Sequence, residues 1–234
     1  MPRIRLQALI PLVATVTSLA LTACRSEAPR SAAAEVSGAD PRRLPPGRTD
    51  EVPDVMITTA DRARVAGGEK APVRLFVVSD YQCPQCRTWF DSTLPILRRE
   101  YLDSGRVKLA WTHYPRRAHP GAVRAASGAL CAGLQEEFWA ASARLFSSQS
   151  RWAGTTVDTV TIDAIARGTK IDLYSFKLCQ EGKRLHRLLR ADIDFVDTLH
   201  AGAPLTLIVG TRVLTTGTSL VSLRAILDSA IAAK

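Results

Sequence analysis

Val-Arg-Leu-Phe-Val-Val-Ser-Asp-Tyr-Gln-Cys-Pro-Gln-Cys-Arg-Thr-Trp-Phe-Asp-Ser-Thr-Leu-Pro-Ile-Leu-Arg, residues 73–98, is the stretch from which the rest of the chain is read. Val73 to Val78 is an apolar, β-branched run bounded by Pro72 and Asp80, the pattern of a buried strand. A turn over Ser79 to Gln82 leads into Cys83-Pro84-Gln85-Cys86, and Trp89, Phe90, Leu94 and Leu97 then recur at helical spacing. The order is strand, turn, Cys-x-x-Cys, helix. With Cys83 at the N-cap, Cys86 lies one turn further on the same face, and Pro84 takes the first helical position, where its missing N–H costs nothing. Free N–H groups and the positive helix end favour a thiolate at Cys83, which makes it a nucleophile and a good leaving group. Cys86 is then the resolving thiol.

Two plainer readings compete. Cys-x-x-Cys is also half of a zinc site, but the chain has no second Cys-x-x-Cys to complete four ligands. A purely structural disulfide across so short a loop gains little chain entropy. The strand–turn–helix context favours redox chemistry over both.

Ser79-Asp80-Tyr81-Gln82-Cys83-Pro84-Gln85-Cys86, with Thr93-Leu94-Pro95 one helical stretch on, resembles the DsbA-like thioredoxin proteins of bacterial envelopes. Further matches are His119-Pro120-Gly121-Ala122, Cys131-Ala132-Gly133 and Phe138-Trp139, so the likeness covers roughly residues 64 to 232. It implies an α/β thioredoxin fold with an inserted helical domain. It also implies thiol–disulfide oxidoreductase activity on exported client proteins that carry cysteines, with a membrane redox partner to renew the pair. No metal or organic cofactor is implied.

The chain opens with an export signal over residues 1–23: Arg3 and Arg5 are basic, and Leu6 to Leu21 is apolar but short. Leu21-Thr22-Ala23-Cys24 resembles the lipobox of bacterial lipoproteins, in which the Cys is acylated and becomes the mature N-terminus. Ordinary cleavage with Cys24 a bystander is the alternative. Both put the chain outside the cytoplasm, where disulfides persist. Residues 24–55, rich in Ala, Pro, Arg, Ser and Glu, read as a disordered tether holding a domain away from a membrane. The net charge of +9 is spread over scattered Lys and Arg, with no run of either longer than two. That argues for a solvated surface, suited to an anionic membrane or acidic clients, and against a nucleic-acid partner.

The remainder is long enough for one domain with a sizeable core. Val55–Ile57 and Ala63–Ala66 read as short edge strands, and the Cys-x-x-Cys helix runs to about Tyr101, kinked at Pro95. Val107 to Trp111 is the next strand, parallel to the first, so that residues 56–114 form the first part of the fold. Residues 115–197 are helical in pattern and form the insertion, with segments over 120–134, 135–147, 160–167, 173–181 and 184–200. With Cys24 set aside, four cysteines remain, which allow three pairings. The close Cys83–Cys86 pair is favoured, leaving Cys131–Cys179, either a structural disulfide between two helices or a redox relay. His113, just after a strand, stands where it could meet a thiolate, whereas His119, His186 and His200 read as structural.

Residues 198–234 complete the fold. Gly202-Ala203-Pro204 enters a buried strand, Gly210-Thr211 turns into Arg212–Leu214, and Leu220–Ile231 is a last amphipathic helix. Pro204 matches the cis proline that faces the Cys-x-x-Cys in thioredoxin-like folds, which the resemblance assigns to client docking. Ala203 stands where relatives often carry Thr or Val, and Pro84-Gln85 is neither Gly-Pro nor Pro-His, which leaves the direction of electron flow open: oxidase, reductase or isomerase. A non-catalytic tethered binding lipoprotein is the alternative from another class. Asp80 either assists proton transfer or caps the turn.

Overall fold

The structure is a computed structural model and describes residues 54–154, 165, 168–203 and 205–234. The export signal, Cys24, nearly all of the tether, Pro204 and most of the helix read over 160–167 lie outside the described residues.

Strand β2 (Val73–Ser79) is the centre of a five-stranded sheet, ordered β1-β3-β2-β4-β5. Its flanks are β3 (Val107–His113), parallel, and β4 (Thr206–Val209), antiparallel. Strand β1 (Val65–Gly67) edges β3, and β5 (Arg212–Leu214) edges β4 through a hairpin. Gly210 turns that hairpin at φ +61°. A central strand is covered on both faces, which explains the apolar run from Leu75 to Val78, with the exposed Arg74 near the strand's start. Leu75 and Val77 join the main core, whereas Val78 meets Val196 and Ile208 on the other face.

Helix α2 (Pro84–Leu97) is the crossover from β2 to β3. Sequence spacing extends it to Tyr101, but at Arg98–Leu102 the chain takes a π-helical turn instead. Pro95 sits inside α2 on its exposed side. Proline donates no N–H to the carbonyl of Asp91, four residues back, and Asp91 is itself an exposed residue.

The reading of 55–57 as an edge strand is corrected. Residues Asp54–Ala63 form helix α1, which begins two residues inside the stretch read as tether. Ala60 is fully buried, and Ile57 and Ala63 pack beside it, three apart on one helical face. Of the second proposed strand, 63–66, only Val65 and Ala66 extend, in a strand that runs on to Gly67, where a Cβ would stand 2.2 Å from the Val107 carbonyl oxygen.

Between β3 and β4 comes the inserted helical domain: α3 (Ala122–Gly133), α4 (Phe138–Ser147), α5 (Gln149–Trp152), α6 (Leu173–Glu181) and α7 (His186–Thr198). Helix α3 is buried along nearly its whole length, which accounts for its Ala-rich composition. A Cβ at Gly128 would come within 2.6 Å of Ile165. Cys131 of α3 and Cys179 of α6 are joined by a disulfide, Cα atoms 5.8 Å apart. Helix α8 (Leu220–Ala232), N-capped by Ser219, places Leu223 and Leu227 in the main core. Among the described residues no helix is long and apolar enough to cross a membrane.

One buried ionic cluster ties the insertion to the sheet. Arg64 donates to Asp61 (2.6 Å), to the Trp111 carbonyl (3.1 Å) and to Asp192 of α7. Asp192 also accepts the His113 backbone N–H at 2.9 Å and lies 3.2 Å from its Nδ1. Burial pushes the Asp192 carboxyl up, but Arg64 and His113 more than offset it and hold it below its ordinary value. Burial holds His113 below its ordinary 6.5, against the pull of Asp192. Replacing Asp192 by Ala would strip two donors of His113 and leave Arg64 with Asp61 and one carbonyl. The expected loss is roughly 3 kcal/mol, read as a lower urea midpoint. The wild type should also weaken in acid. Stability from neutral His113 is fully present above its unfolded value of 6.5 and is lost as pH falls through the folded value. Asp192 acts in the same sense from 3.8 downward. A urea midpoint that stays flat between neutrality and pH 4 would contradict this.

Candidate active site

The turn after β2 is built by its own side chains. Asp80 is buried, and its Oδ1 accepts the Gln82 N–H at 2.7 Å while its carbonyl accepts the Cys83 N–H at 3.0 Å. This brings the chain round to Cys83, whose extended backbone (φ −81°, ψ 120°) makes it the N-cap of α2. Its sulfur accepts the Cys86 N–H at 3.2 Å, with Pro84 at the helix start.

The second wall is the segment after β3. The Tyr114 N–H donates to the Ser79 carbonyl at 2.9 Å, the Arg116 N–H to Asp80 Oδ2 at 2.8 Å, and the Gly121 N–H to Gln82 Oε1 at 2.7 Å. His119 Nδ1 lies 2.7 Å from the same Asp80 oxygen. The insertion supplies a third support. Gln149 Nε2 donates to the carbonyls of Tyr81 (2.7 Å) and Cys83 (3.0 Å), and the Tyr81 hydroxyl lies 2.6 Å from Ser142 Oγ. Tyr81 packs against the rings of Trp111, His113 and Phe146, which floors the turn with aromatic surface.

Cys83 and Cys86 are not bonded to each other in this structure, and both residues are buried, Cys83 at 1% exposure and Cys86 at none. Hydrogen bonding from the Cys86 thiol, with the Cys86 and Gln85 backbone, holds the Cys83 pKa down to about 7. Burial and the Asp80 charge oppose this. Burial drives Cys86 the other way, far above its ordinary value, and the neighbouring Cys83 adds to the rise. The two thiols are thus differentiated: Cys83 ionises near neutrality and Cys86 stays protonated. The Cys83 sulfur is also 3.3 Å from Gln85 Oε1. An amide there can accept from the thiol or, turned over, donate to the thiolate.

The structure places the other sequence candidates as follows. Asp80 organises the turn and reaches His119. His113 turns to Asp192 and the rings of Tyr81 and Phe138 rather than to the Cys pair, because its burial at the end of β3 faces it toward α7. Ala203 is half-buried in the segment entering β4. Thr206 pairs with Val78, so this segment begins at the carboxyl end of β2, the end that carries Cys83. Cys131 and Cys179 belong to the insertion. Gln149, Gln82 and His119 are additions that sequence reading missed. Gln149 has no local signature, and His119 stands in a matching motif but reads from the sequence only as structural.

Against known proteins, the profile of the family described as "Thioredoxin" matches residues 59–229, and the chain belongs to that family. "Probable disulfide bond formation protein D" of Bacillus anthracis is 31% identical over 145 residues, covering 59% of this chain and 65% of that protein. The Bacillus cereus protein of the same name is 29% identical and 66% covered. The chain thus spans just under two thirds of these relatives. Among solved structures, oxidised BdbD from Bacillus subtilis aligns with a TM-score of 0.64 at 20% identity, covering 72% of this chain and 92% of that one. Wolbachia pipientis alpha-DsbA1 aligns at 0.65 and 17% identity, covering 73% and 91%. Both have the same thioredoxin fold with a helical insertion.

Proposed function

We infer that this chain is an envelope thiol–disulfide oxidoreductase, forming or exchanging disulfides in exported proteins through Cys83 and Cys86. The observation that carries the reading is the split between two neighbouring thiols: Cys83 at a helix N-cap with a pKa of about 7, beside a buried Cys86 whose pKa is raised. The names of the Bacillus relatives point the same way.

In the oxidising direction a client thiolate attacks the Cys83 sulfur of the Cys83–Cys86 disulfide. That bond breaks, and Cys86 leaves as a thiolate that its burial drives to take up a proton. A second client thiolate then attacks the client sulfur of the mixed disulfide and expels the Cys83 thiolate. The client has lost two electrons and the pair has gained them, so a membrane redox partner must remove them. Ala203 and Pro204 are assigned to docking the client backbone. Asp80 acts on the charge at Cys83. Cys24 is assigned the lipid anchor, which would hold the domain on the outer side of a membrane at the end of its tether.

A second reading, reductase or isomerase, draws on the size of the Cys83 shift. A pKa of about 7 is far above the value near 3.5 of a strongly oxidising enzyme and close to that of a reducing thioredoxin. The reduction potential of the pair, measured against glutathione, separates the two: about −120 mV marks an oxidant and about −270 mV a reductant. An insulin-reduction assay tests the shared claim. No turnover by the purified protein would leave only a binding role.

A further inference from the structure

We propose that His119 is a positioning residue for the thiol chemistry: it neutralises the buried carboxylate of Asp80 and thereby sets the charge felt by the Cys83 sulfur. This deepens the oxidoreductase reading and rests on it. The Asp80 side chain is fully buried, whereas that of His119 is 26% exposed. Asp80 takes three N–H groups, from Gln82, Arg116 and His119. Two of these belong to the backbone and carry no net charge. The imidazole alone among the three can bring a positive charge, and it alone can exchange a proton with solvent.

The position of Asp80 makes that charge matter. Its carbonyl holds the Cys83 N–H at 3.0 Å, so the carboxylate belongs to the same turn as the nucleophile. In a site shielded from water, an anion this close opposes ionisation of a thiol. With His119 protonated the Asp80–His119 pair is neutral and the opposition is cancelled. With His119 neutral the carboxylate keeps its two backbone N–H donors but loses the positive charge of the imidazole.

The other charged groups nearby do not replace it. Arg64 is committed to Asp61 and Asp192, and His113 to Asp192. The Arg116 guanidinium opposes protonation of His119. The His119 pKa is raised, first by its hydrogen bond to Asp80, against burial, and further by the charges of Asp80 and Cys83. His119 and Cys83 therefore titrate as a linked pair, each favouring the charged form of the other.

The test measures the Cys83 pKa from thiolate absorbance and alkylation rate. His119→Asn should raise it by about half to one unit and make the pair more reducing. In an Asp80→Asn background the same substitution should do nothing, because the charge it would expose is gone. An unchanged Cys83 pKa in His119→Asn overturns the proposal. So does an equal shift in both backgrounds, which would mark a merely structural effect. If the variants do not fold, the wild type carries the test. By NMR, the His119 imidazole pKa should be higher with the pair reduced than with the pair oxidised, and equal values overturn the proposal. If the wild type shows this coupling but does not reduce insulin, the charge link stands and the oxidoreductase reading falls.

Discussion

Cys86→Ser is expected to leave Cys83 trapped in mixed disulfides with client proteins, and Cys83→Ser to remove exchange altogether, a loss on the order of a thousandfold or more. The asymmetry follows from the helix start. Cys83 is the N-cap, its sulfur receives the Cys86 N–H, and its pKa falls from 9.0 to about 7. Cys86 lies one turn deeper, fully buried, with its pKa raised. In the reducing direction a mixed disulfide therefore forms when the Cys83 thiolate attacks a client disulfide, and Cys86 resolves it. Serine in place of Cys86 keeps a hydroxyl that can donate to the Cys83 sulfur, so the Cys83 thiolate still attacks a client disulfide and expels the client's other sulfur as a thiolate, while the resolving attack by Cys86 is lost. Alanine removes that donor as well, so Cys86→Ala should trap clients more slowly near pH 7. Alkylation of Cys83 should be half-maximal near pH 7. Non-reducing gels would read the trapped species. Faster alkylation of Cys86 than of Cys83, or trapping by Cys83→Ser, would reverse the assigned roles.

What could be read without the structure was what the sequence encodes locally. Strand β2 announces itself as an apolar run, broken only by the exposed Arg74, because it lies in the middle of the sheet and is covered on both faces. The start of α2 is marked by Cys83 and Pro84, since cap and first-turn preferences act within a few residues. The neighbouring segment 54–63 misled for the same reason in reverse. Val55 and Ile57 are strand formers by type, but Ala60 and Ala63 turn the segment into a helix that fills space beside α3, and tertiary packing overrides so weak a preference. The polar frame of the site was not legible. Gln149 meets the carbonyls of Tyr81 and Cys83 across 68 and 66 residues of chain, and Arg64 meets Asp192 across 128. Hydrogen bonds of that kind leave no periodicity and no spacing. His113 and His119 show the limit most plainly: two similar histidines in one segment, one facing Asp192 and the other Asp80, separated only by the three-dimensional path of the chain.

Removing the second cysteine pair should affect stability far more than chemistry. Cys131 and Cys179 are 48 residues apart in sequence and join α3 to α6. Closing a loop of that length restricts the unfolded chain, and the entropy model puts the gain at about 4 kcal/mol. In the folded state the two residues sit in the main core, 1% and 3% exposed, beside Leu130 and Phe176. Replacing both by Ser therefore also buries two hydroxyls among apolar side chains, which adds to the loss. The thiol–disulfide chemistry is assigned to another part of the fold, where the groups that hold the Cys83 turn are Asp80, Gln82, Arg116, Gly121 and Gln149. The double Ser variant should accordingly melt well below the wild type while its Cys83 pKa and its insulin reduction below the melting range stay close to wild-type values. A thermal scan under non-reducing conditions and the insulin assay, run on the same preparation, decide the matter. Exchange lost at unchanged stability would make Cys131 and Cys179 a relay that passes electrons to or from Cys83 and Cys86.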